Sequence, residues 1–269
     1  MKADLHIHST VSDGSFTREQ IVAYAIKKGL DVIAFTDHDT VAHINDLPLS
    51  GQIKVLGGIE VSAFDKELNC KVHILGYNIR KPEILEKAVA PTLIARHENC
   101  MKQIEILQKN GFQIDLTKIR RADNTYIYKQ HIVDYLVKTR QVEDMFGEFY
   151  QRIFKHGGIC DFDIEYPDPR DMVEAICDAG GLAVLAHSGQ QQNFVLIQGL
   201  VKCGLKGLEY NHPANSAKDK EIIKKYAKEY DLFLTGGSDF HGAFENKSAD
   251  IGDYLSEESG ITEILGSME

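Results

Sequence analysis

Two short segments near opposite ends of the chain carry histidine and carboxylate side chains at alternate positions. Residues 4–14 read Asp-Leu-His-Ile-His-Ser-Thr-Val-Ser-Asp-Gly, which sets His6 and His8 two apart, and Asp239 and His241 repeat this spacing. Alternate side chains of an extended strand lie on one face, so each pair can reach one metal ion. We expect a metal-dependent enzyme whose fold, a closed barrel, brings the two ends of the chain together.

Further histidines and a glutamate stand beside short apolar runs that are typical of β-strands. With Asp13 they make nine candidate metal ligands: His6, His8, Asp13, His38, Glu60, His73, His187, Asp239 and His241. One ion takes roughly four to six ligands, so nine ligands suit two or three divalent ions. Imidazole combined with carboxylate favours Mn, Fe or Zn over Mg or Ca.

Apolar runs alternate with amphipathic stretches in both halves of the chain, which is the pattern of βα units. The predicted strands cover residues 3–7, 31–36, 54–59, 71–77, 182–186, 206–210 and 232–235. The candidate ligands follow the ends of these strands, with Glu60 ending the third and His73 within or beside the fourth. In a parallel barrel the carboxyl ends of the strands form one rim, where active sites lie.

Residues 82–164 show no strand pattern and read as helices, near 84–110, 130–139 and 143–154. We predict a metal-binding barrel of residues 1–80 and 165–269, with residues 81–164 as a helical insertion that caps the substrate. Residues 81–140 hold 11 Lys and Arg against 7 Asp and Glu, whereas the whole chain has a net charge of −10. A basic cap favours an anionic substrate, and a solvated helical face explains the same charges equally well.

The composition limits the classes of protein to which the chain can belong. No apolar run reaches the roughly 18 residues that span a bilayer, and the first residues lack a signal peptide, so we expect a cytoplasmic protein without a membrane partner. Five scattered cysteines without a C-x-x-C pair suit free thiols in a reducing compartment. The net charge of −10 argues against a long nucleic acid as a partner, because binding one requires a positively charged surface.

Taken in order, these segments resemble the PHP (polymerase and histidinol phosphatase) family of metallophosphoesterases. Besides residues 4–14 and Val-Leu-Ala-His at 184–187, the matching motifs are Phe-Thr-Asp-His-Asp-Thr at 35–40, Gly-Gly-Ile-Glu at 57–60, Val-His-Ile-Leu-Gly-Tyr at 72–77 and Gly-Ser-Asp-Phe-His at 237–241. The resemblance spans most of the chain outside the insertion. It implies an α/β fold, a distorted (β/α)7 barrel, with two or three metal ions.

The resemblance also implies how the ligands divide among the ions. One ion would take His6, His8, Glu60 and Asp239; a second would share Glu60 and use His73 and His187; a third would use Asp13, His38 and His241. Such ions activate a water molecule that attacks phosphorus. We expect Asp13 or Asp239 to orient this nucleophile. We expect His187 or His241 to protonate the leaving oxygen.

Within the family, the layout is similar to small phosphatases that act on nucleotides, related to nucleoside bisphosphate phosphatases and short-RNA exonucleases. Their helical insertion usually contains a Gly-Arg-Pro-His-Ile-Ala-like segment. The counterpart here is Ile-Tyr-Lys-Gln-His-Ile-Val at 127–133, which retains the histidine and has Tyr or Lys at the arginine position. The predicted substrate-binding residues are His131, Lys129, Arg120 and Arg121.

The predicted function is that of a phosphoric ester hydrolase acting on a small nucleotide-type substrate, such as AMP, a 3′,5′-bisphosphate or a short oligonucleotide. A histidinol-phosphate phosphatase of the same fold is the alternative. An amidohydrolase-type enzyme also opens with His-x-His, but it commonly bridges its metals through a modified Lys, and no Lys stands at the matching strand end. A non-catalytic metal-binding module is a further alternative, although such modules typically lose ligands.

Overall fold

The computed structural model describes residues 1–119, 126–244 and 249–266. Its strands are β1 (Ala3–Ile7), β2 (Val32–Phe35), β3 (Lys54–Asp65), β4 (Cys70–Tyr77), β5 (Leu182–Leu185), β6 (Gly207–Asn211) and β7 (Phe233–Gly236). Its α-helices are α1 (Arg18–Lys28), α2 (Pro82–Lys109), α3 (Lys129–Lys138), α4 (Glu148–Phe154), α5 (Pro169–Asp178), α6 (Ser188–Gln191), α7 (Ile197–Lys202), α8 (Ala217–Tyr230) and α9 (Glu258–Gly266). Short 3-10 turns cover Leu116–Lys118, Phe194–Leu196 and Gly242–Phe244.

The seven strands form one mixed sheet in the order of the sequence, and the sheet is nearly closed into a barrel. β1 to β3 are parallel, and so are β5 to β7. The segment after β7 closes the barrel against β1, since the Asp239 backbone N–H donates to the His6 carbonyl at 2.9 Å and the His8 N–H donates to the Phe240 carbonyl at 2.9 Å. The predicted α/β barrel is confirmed, and both ends of the chain meet at its rim.

β4 is the strand that departs from the predicted parallel arrangement, because it runs antiparallel to both β3 and β5. The third strand was expected to end at residue 59, but β3 continues to Asp65 and turns back into β4. The extension persists because Val61 and Ala63 are buried in the core. Glu60 therefore lies inside a strand, and His73 reaches the rim from the amino-terminal half of a reversed strand.

The predicted insertion contains α2, α3 and α4. The second half of α2 packs with α3 and α4 in a hydrophobic cluster of their own, whereas Leu85 and Val89 in its first half pack in a cluster of the barrel. The buried residues of the insertion cluster include Leu107, Ile132 and Phe154. The last of these helices is shorter than predicted: it begins at Glu148 instead of residue 143, because the Asp144 carboxylate accepts the Gly147 backbone N–H and holds a turn there. None of the described helices is both long and apolar enough to cross a membrane.

Candidate metal centre

Two histidines at the end of β1 and two carboxylates from other strands converge at the centre of the barrel rim. His8 Nε2 lies 3.1 Å from Glu60 Oε2 and 3.1 Å from Asp239 Oδ1. His6 Nε2 lies 3.2 Å and 3.3 Å from the same two oxygens. Four ligands placed 2.0–2.2 Å from a tetrahedral ion lie about 3.3–3.6 Å apart. The spacing therefore suits one ion held by all four side chains.

The other carboxylate oxygen of Glu60 serves a second group. Glu60 Oε1 lies 2.8 Å from His73 Nδ1 and 2.9 Å from His187 Nε2. His38 also reaches this glutamate, with Nδ1 3.3 Å from Oε2. Glu60 thus lies between ligands from four different strands or their loops, which is the arrangement needed for a carboxylate shared between ions.

Asp13 is the centre of a third group, on the loop after β1. Its oxygens lie 3.5 Å from His241 Nε2, 3.7 Å from His8 Nδ1 and 3.9 Å from His38 Nε2. The structure therefore brings together all nine residues predicted as ligands. It places His38 between Asp13 and Glu60, so that this residue can join either group. The division of the nine among particular ions stays a prediction.

A buried carboxylate fixes the loop that carries Asp13. Asp37 Oδ2 accepts the Ser9 hydroxyl at 2.8 Å, and Asp37 Oδ1 accepts the Ser12 hydroxyl at 2.7 Å. Gly14 allows the loop to fold tightly, since a Cβ there would lie 2.4 Å from the His8 carbonyl oxygen. Gly237 does the same for the segment after β7, where a Cβ would lie 2.3 Å from the His6 Cβ.

Three residues of the rim have left-handed backbone conformations that residues other than glycine seldom adopt. Their φ angles are 21° at His187, 55° at Asp239 and 53° at Asp39. Such conformations cost on the order of 1–3 kcal/mol each and persist where the surroundings enforce them. At His187 and Asp239 they point to a geometry selected for the placement of ligands.

The carboxylates of the centre remain ionised although Asp13 and Glu60 are buried and Asp239 is half-buried. Burial alone would raise the pKa of Asp13, Glu60 and Asp239, but the surrounding histidines outweigh it and hold each pKa well below its ordinary value. Burial lowers the pKa of His38 to about 4, so this imidazole is neutral near pH 7 and offers a lone pair. Ionised carboxylates and neutral imidazoles are the forms that bind metal, so His6, His8 and His187, whose pKa is raised above the ordinary value, would release a proton when an ion binds.

The unsatisfied polar atoms of the site fit divalent ions. Among the described residues, His6 Nε2, both ring nitrogens of His8 and Asp239 Oδ1 are buried without a hydrogen-bond partner. Buried polar atoms are almost always paired in native proteins, so a group of unpaired ones that face each other indicates ligands of an ion. The donor set of imidazole and carboxylate is the one that Mn, Fe and Zn prefer.

Two further residues of the site, Glu209 and His212, did not emerge from the sequence as ligands. Glu209 lies in β6 and accepts from His6 Nδ1 at 2.9 Å through Oε1 and from the His187 backbone N–H at 2.8 Å through Oε2. His212 follows β6, and its Nε2 lies 3.4 Å from Asp239 Oδ2. The feature of the sequence that could have indicated them is a glutamate inside an apolar strand, with a histidine at the end of that strand.

Two of the predicted substrate-binding residues, Lys129 and His131, lie in α3. His131 is buried in the first turn of this helix, and its Nδ1 accepts the Tyr128 backbone N–H at 3.2 Å. Lys129 is half-buried between the insertion and the barrel. Gln130, which the sequence did not single out, donates from Nε2 to Asp13 Oδ2 at 2.7 Å. Arg120 and Arg121 lie outside the described residues.

A nearly closed α/β barrel with this ligand set at its rim defines a metal-dependent hydrolase, and comparisons with known proteins identify its family. The PHP domain family matches residues 4–244, and the chain belongs to it. The chain is 42% identical to phosphoribosyl 1,2-cyclic phosphate 1,2-diphosphodiesterase of Eggerthella lenta over 91% of its length and 95% of that protein.

Two other relatives agree with this placement. The chain is 29% identical to 3′,5′-nucleoside bisphosphate phosphatase of Chromobacterium violaceum, over 93% of its own length and 90% of that enzyme. Its fold is similar to that of a metal-dependent phosphoesterase from Bifidobacterium adolescentis, with a TM-score of 0.88 and 27% identity, covering 98% and 96% of the two chains. The protein is a metal-dependent phosphoesterase of the PHP family.

Proposed function

We propose that this protein hydrolyses a phosphate ester of a small nucleotide-type substrate, one built on a phosphorylated pentose. The observation that carries the proposal is the convergence of all nine His, Asp and Glu ligands around Glu60 and Asp13, beside a cationic insertion. The names of two relatives support it, because a phosphoribosyl cyclic phosphate and a nucleoside bisphosphate are both phosphate esters of a pentose.

The residues of the centre would hold two or three divalent ions, of Mn, Fe or Zn. When bound, these ions supply an activated water and neutralise the phosphate oxygens. The contact with Glu209 suits His6 to act as a metal ligand. Because His6 Nδ1 donates to the Glu209 carboxylate at 2.9 Å, Nε2 is the nitrogen with the lone pair, and it faces Glu60 and Asp239. A carboxylate behind a histidine orients the ring and raises its basicity as a ligand.

Hydrogen bonds distinguish the proton positions of two other histidines. His241 Nδ1 must donate to the Asp239 carbonyl oxygen at 2.7 Å, so its Nε2 faces Asp13 with a lone pair and suits a ligand. His212 has the opposite tautomer, because its Nδ1 accepts the Ala214 backbone N–H at 3.1 Å. Its protonated Nε2 faces Asp239.

The proton of the leaving group therefore comes from His212 in this proposal, rather than from His187 or His241 as the sequence suggested. A general acid must carry a proton within reach of the leaving oxygen, and His212 Nε2 is the ring nitrogen that holds one when the imidazole is neutral. Asp239, whose Oδ2 lies 3.4 Å from this nitrogen, and Asp13 remain the carboxylates proposed to orient the nucleophile.

A cyclic phosphodiester is the second candidate substrate. It is favoured by the 42% identity to the Eggerthella lenta enzyme, a higher identity than that to the bisphosphate phosphatase. Hydrolysis of a histidinol phosphate stays the alternative within phosphatases. A cationic cap discriminates against it, because histidinol phosphate carries its own positive charge.

The experiment is a substrate panel with the Mn²⁺-loaded protein. Phosphate release would be measured from AMP, adenosine 3′,5′-bisphosphate and histidinol phosphate, nucleotide release from a short RNA, and ring opening of phosphoribosyl 1,2-cyclic phosphate by ³¹P NMR. We expect release from a pentose phosphate ester, and its loss in His38→Ala and Asp239→Ala. Release from histidinol phosphate alone, or equal release in both variants, would refute the proposal.

A further inference from the structure

A small pocket lies between the barrel and the insertion, next to the metal-binding groups. Its volume is about 150 Å³. Four cationic side chains line it: Lys71 of β4, Arg96 of α2, Lys129 at the start of α3 and Lys155 just after α4. Sites that enclose a whole small molecule measure roughly 300–1,000 Å³, so this pocket suits one group of a larger ligand.

Positive charge exceeds negative charge in this pocket. Asp163 is the single carboxylate among its lining residues, and it pairs with Lys71 at 2.8 Å. Arg96 pairs with the buried Asp39 at 2.6 Å. Within residues 1–119, 126–244 and 249–266, neither Lys129 nor Lys155 has an ion-pair partner. Two cationic groups of the pocket thus form no ion pair within the described parts of the chain.

Lys129 lies in surroundings that penalise its charge. It is half-buried, and its Nζ lies 5.6 Å from the centre of the Phe154 ring. Burial lowers the pKa of Lys129. Asp163 opposes this with the next largest effect, and the like charges of Lys155 and Lys71 lower the pKa by smaller amounts. A bound anion would relieve both the burial and the repulsion between the lysines.

The pocket is linked to the metal centre by direct contacts. Lys71 lies two residues before His73, so both side chains are on one face of β4. Gln130 lines the pocket and donates to Asp13 Oδ2 at 2.7 Å. Arg96 donates at 3.0 Å to the hydroxyl of Ser62, the residue opposite His73 in the β3–β4 pair. One layer of side chains therefore separates the pocket from the candidate ligands.

We propose that this pocket, lined by Lys71, Arg96, Lys129 and Lys155, binds a second, non-reacting phosphoryl group of the substrate. The first phosphoryl group then lies at the metal centre, where hydrolysis takes place. This subsite rests on the proposed function and narrows its substrate class to small molecules with two phosphoryl groups on one pentose. Arginine and lysine are the side chains that recognise such groups through charge-assisted hydrogen bonds.

Direct binding tests the subsite apart from catalysis. The full-length protein, freed of metal by a chelator so that no hydrolysis occurs, would be titrated with adenosine 3′,5′-bisphosphate in a calorimeter. We expect the Lys129→Ala/Lys155→Ala variant to bind at least about tenfold more weakly than the wild type. The matched control is Lys102→Ala, an exposed lysine of α2 outside the pocket, which should stay within about twofold.

The outcomes separate the subsite from the proposed function. Equal affinity in the wild type and the double variant, or no binding by the wild type, would overturn the subsite. If the double variant does not fold, Lys155→Ala alone decides, because Lys155 is exposed. Lysine-dependent binding without Mn²⁺-dependent release from any substrate would refute the proposed function and leave the anion site in place. In the Mn²⁺-loaded protein, the double variant should raise KM for the bisphosphate by a similar factor.

Discussion

Glu209 shows at the scale of single residues how a group behind the ligands controls the site. One of its oxygens accepts from His6, and the other accepts the backbone N–H of His187. It therefore fixes a ring on β1 and the strained residue after β5 at the same time. Its pKa stays below the ordinary value, because the neighbouring His6 and His212 outweigh the effect of burial.

Glu209→Gln is expected to weaken metal binding about 10- to 100-fold, the usual effect of removing a carboxylate behind a histidine ligand. The amide retains the shape of the side chain and loses the charge that orients His6. Competition with a metal-sensitive dye measures the affinity. Glu221→Gln, an exposed change on α8, is the control. An unchanged affinity for Mn²⁺ would show that Glu209 does not position the ligand.

The candidate ligands could be selected from the sequence, because histidines and carboxylates at strand ends stand out from an apolar strand, and the structure places them close together. Glu209 could not be selected, since a single glutamate inside Gly-Leu-Glu-Tyr-Asn gives no sign of which way it faces. Gln130 was also missed, because its role depends on how the insertion folds over Asp13, a contact between residues 117 positions apart. Long-range contacts of this kind leave no local pattern.

At the scale of elements, the insertion contacts the metal-binding loops through the start of α3. The Tyr128 hydroxyl donates to the His38 carbonyl at 2.9 Å, and its ring packs against the Arg96 guanidinium at 5.5 Å. Arg96 in turn binds Asp39, the residue after His38. These contacts of the insertion therefore hold the loop after β2 in place.

Tyr128→Phe is expected to lower the free energy of unfolding by about 1 kcal/mol, because the His38 carbonyl loses its donor while the ring packing is retained. Urea denaturation measures the change. Tyr226→Phe on α8, which is outside this contact, should stay within about 0.5 kcal/mol of the wild type. Equal stability of both variants would mean that the hydroxyl contributes nothing to the contact.

The core of the insertion contains two buried thiols. Burial raises the pKa of Cys100 to about 12 and that of Cys160 to about 11. Both should resist a thiol reagent at pH 8, while the half-buried Cys70, Cys177 and Cys203 react first.

The sign of the pH effect follows from the raised pKa of both thiols. Thiols of the unfolded chain have an ordinary pKa of 9.0 and ionise before the folded ones. The stability that comes from keeping them protonated is thus complete below about pH 9 and is lost as the pH rises towards 11. Labelling of Cys100→Ala and Cys160→Ala variants assigns the reactions. Immediate reaction of either thiol at pH 8 would contradict a packed insertion core.

Most helices and strands could be predicted from the sequence, but the antiparallel direction of β4 could not. The period of two in residues 71–77 predicts a strand, but alternation is the same for parallel and antiparallel neighbours. β4 runs antiparallel to β3 because a turn at residues 66–69 joins the two strands; Asn69 in this turn has a φ of 50°. The two ends of α1 are easier to predict from the sequence, because Thr17 and Gly29 are residue types that commonly cap helices, and they cap this one.

At the scale of the whole molecule, a metal ion bound at the candidate centre would join the two ends of the chain. The ligands come from β1, from the strands in the middle and from the segment after β7, so an ion that binds only the folded state stabilises the closure of the barrel. At a metal concentration 100 times the dissociation constant, one ion adds about 2.7 kcal/mol. We expect EDTA to lower the melting temperature and Mn²⁺ to restore it. A melting temperature unaffected by either would argue against ions at this site.

The most direct test of a metal-dependent phosphoesterase is phosphate release from adenosine 3′,5′-bisphosphate as Mn²⁺ is added to the chelated protein. If the reaction depends on the metal centre, we expect no release without metal and an increase that saturates at two or three ions per chain. Asp239→Asn, which retains the shape of a ligand without its charge, should lose at least about a hundredfold in rate under this mechanism. Release that persists in EDTA, or that is equal in Asp239→Asn and the wild type, would contradict it.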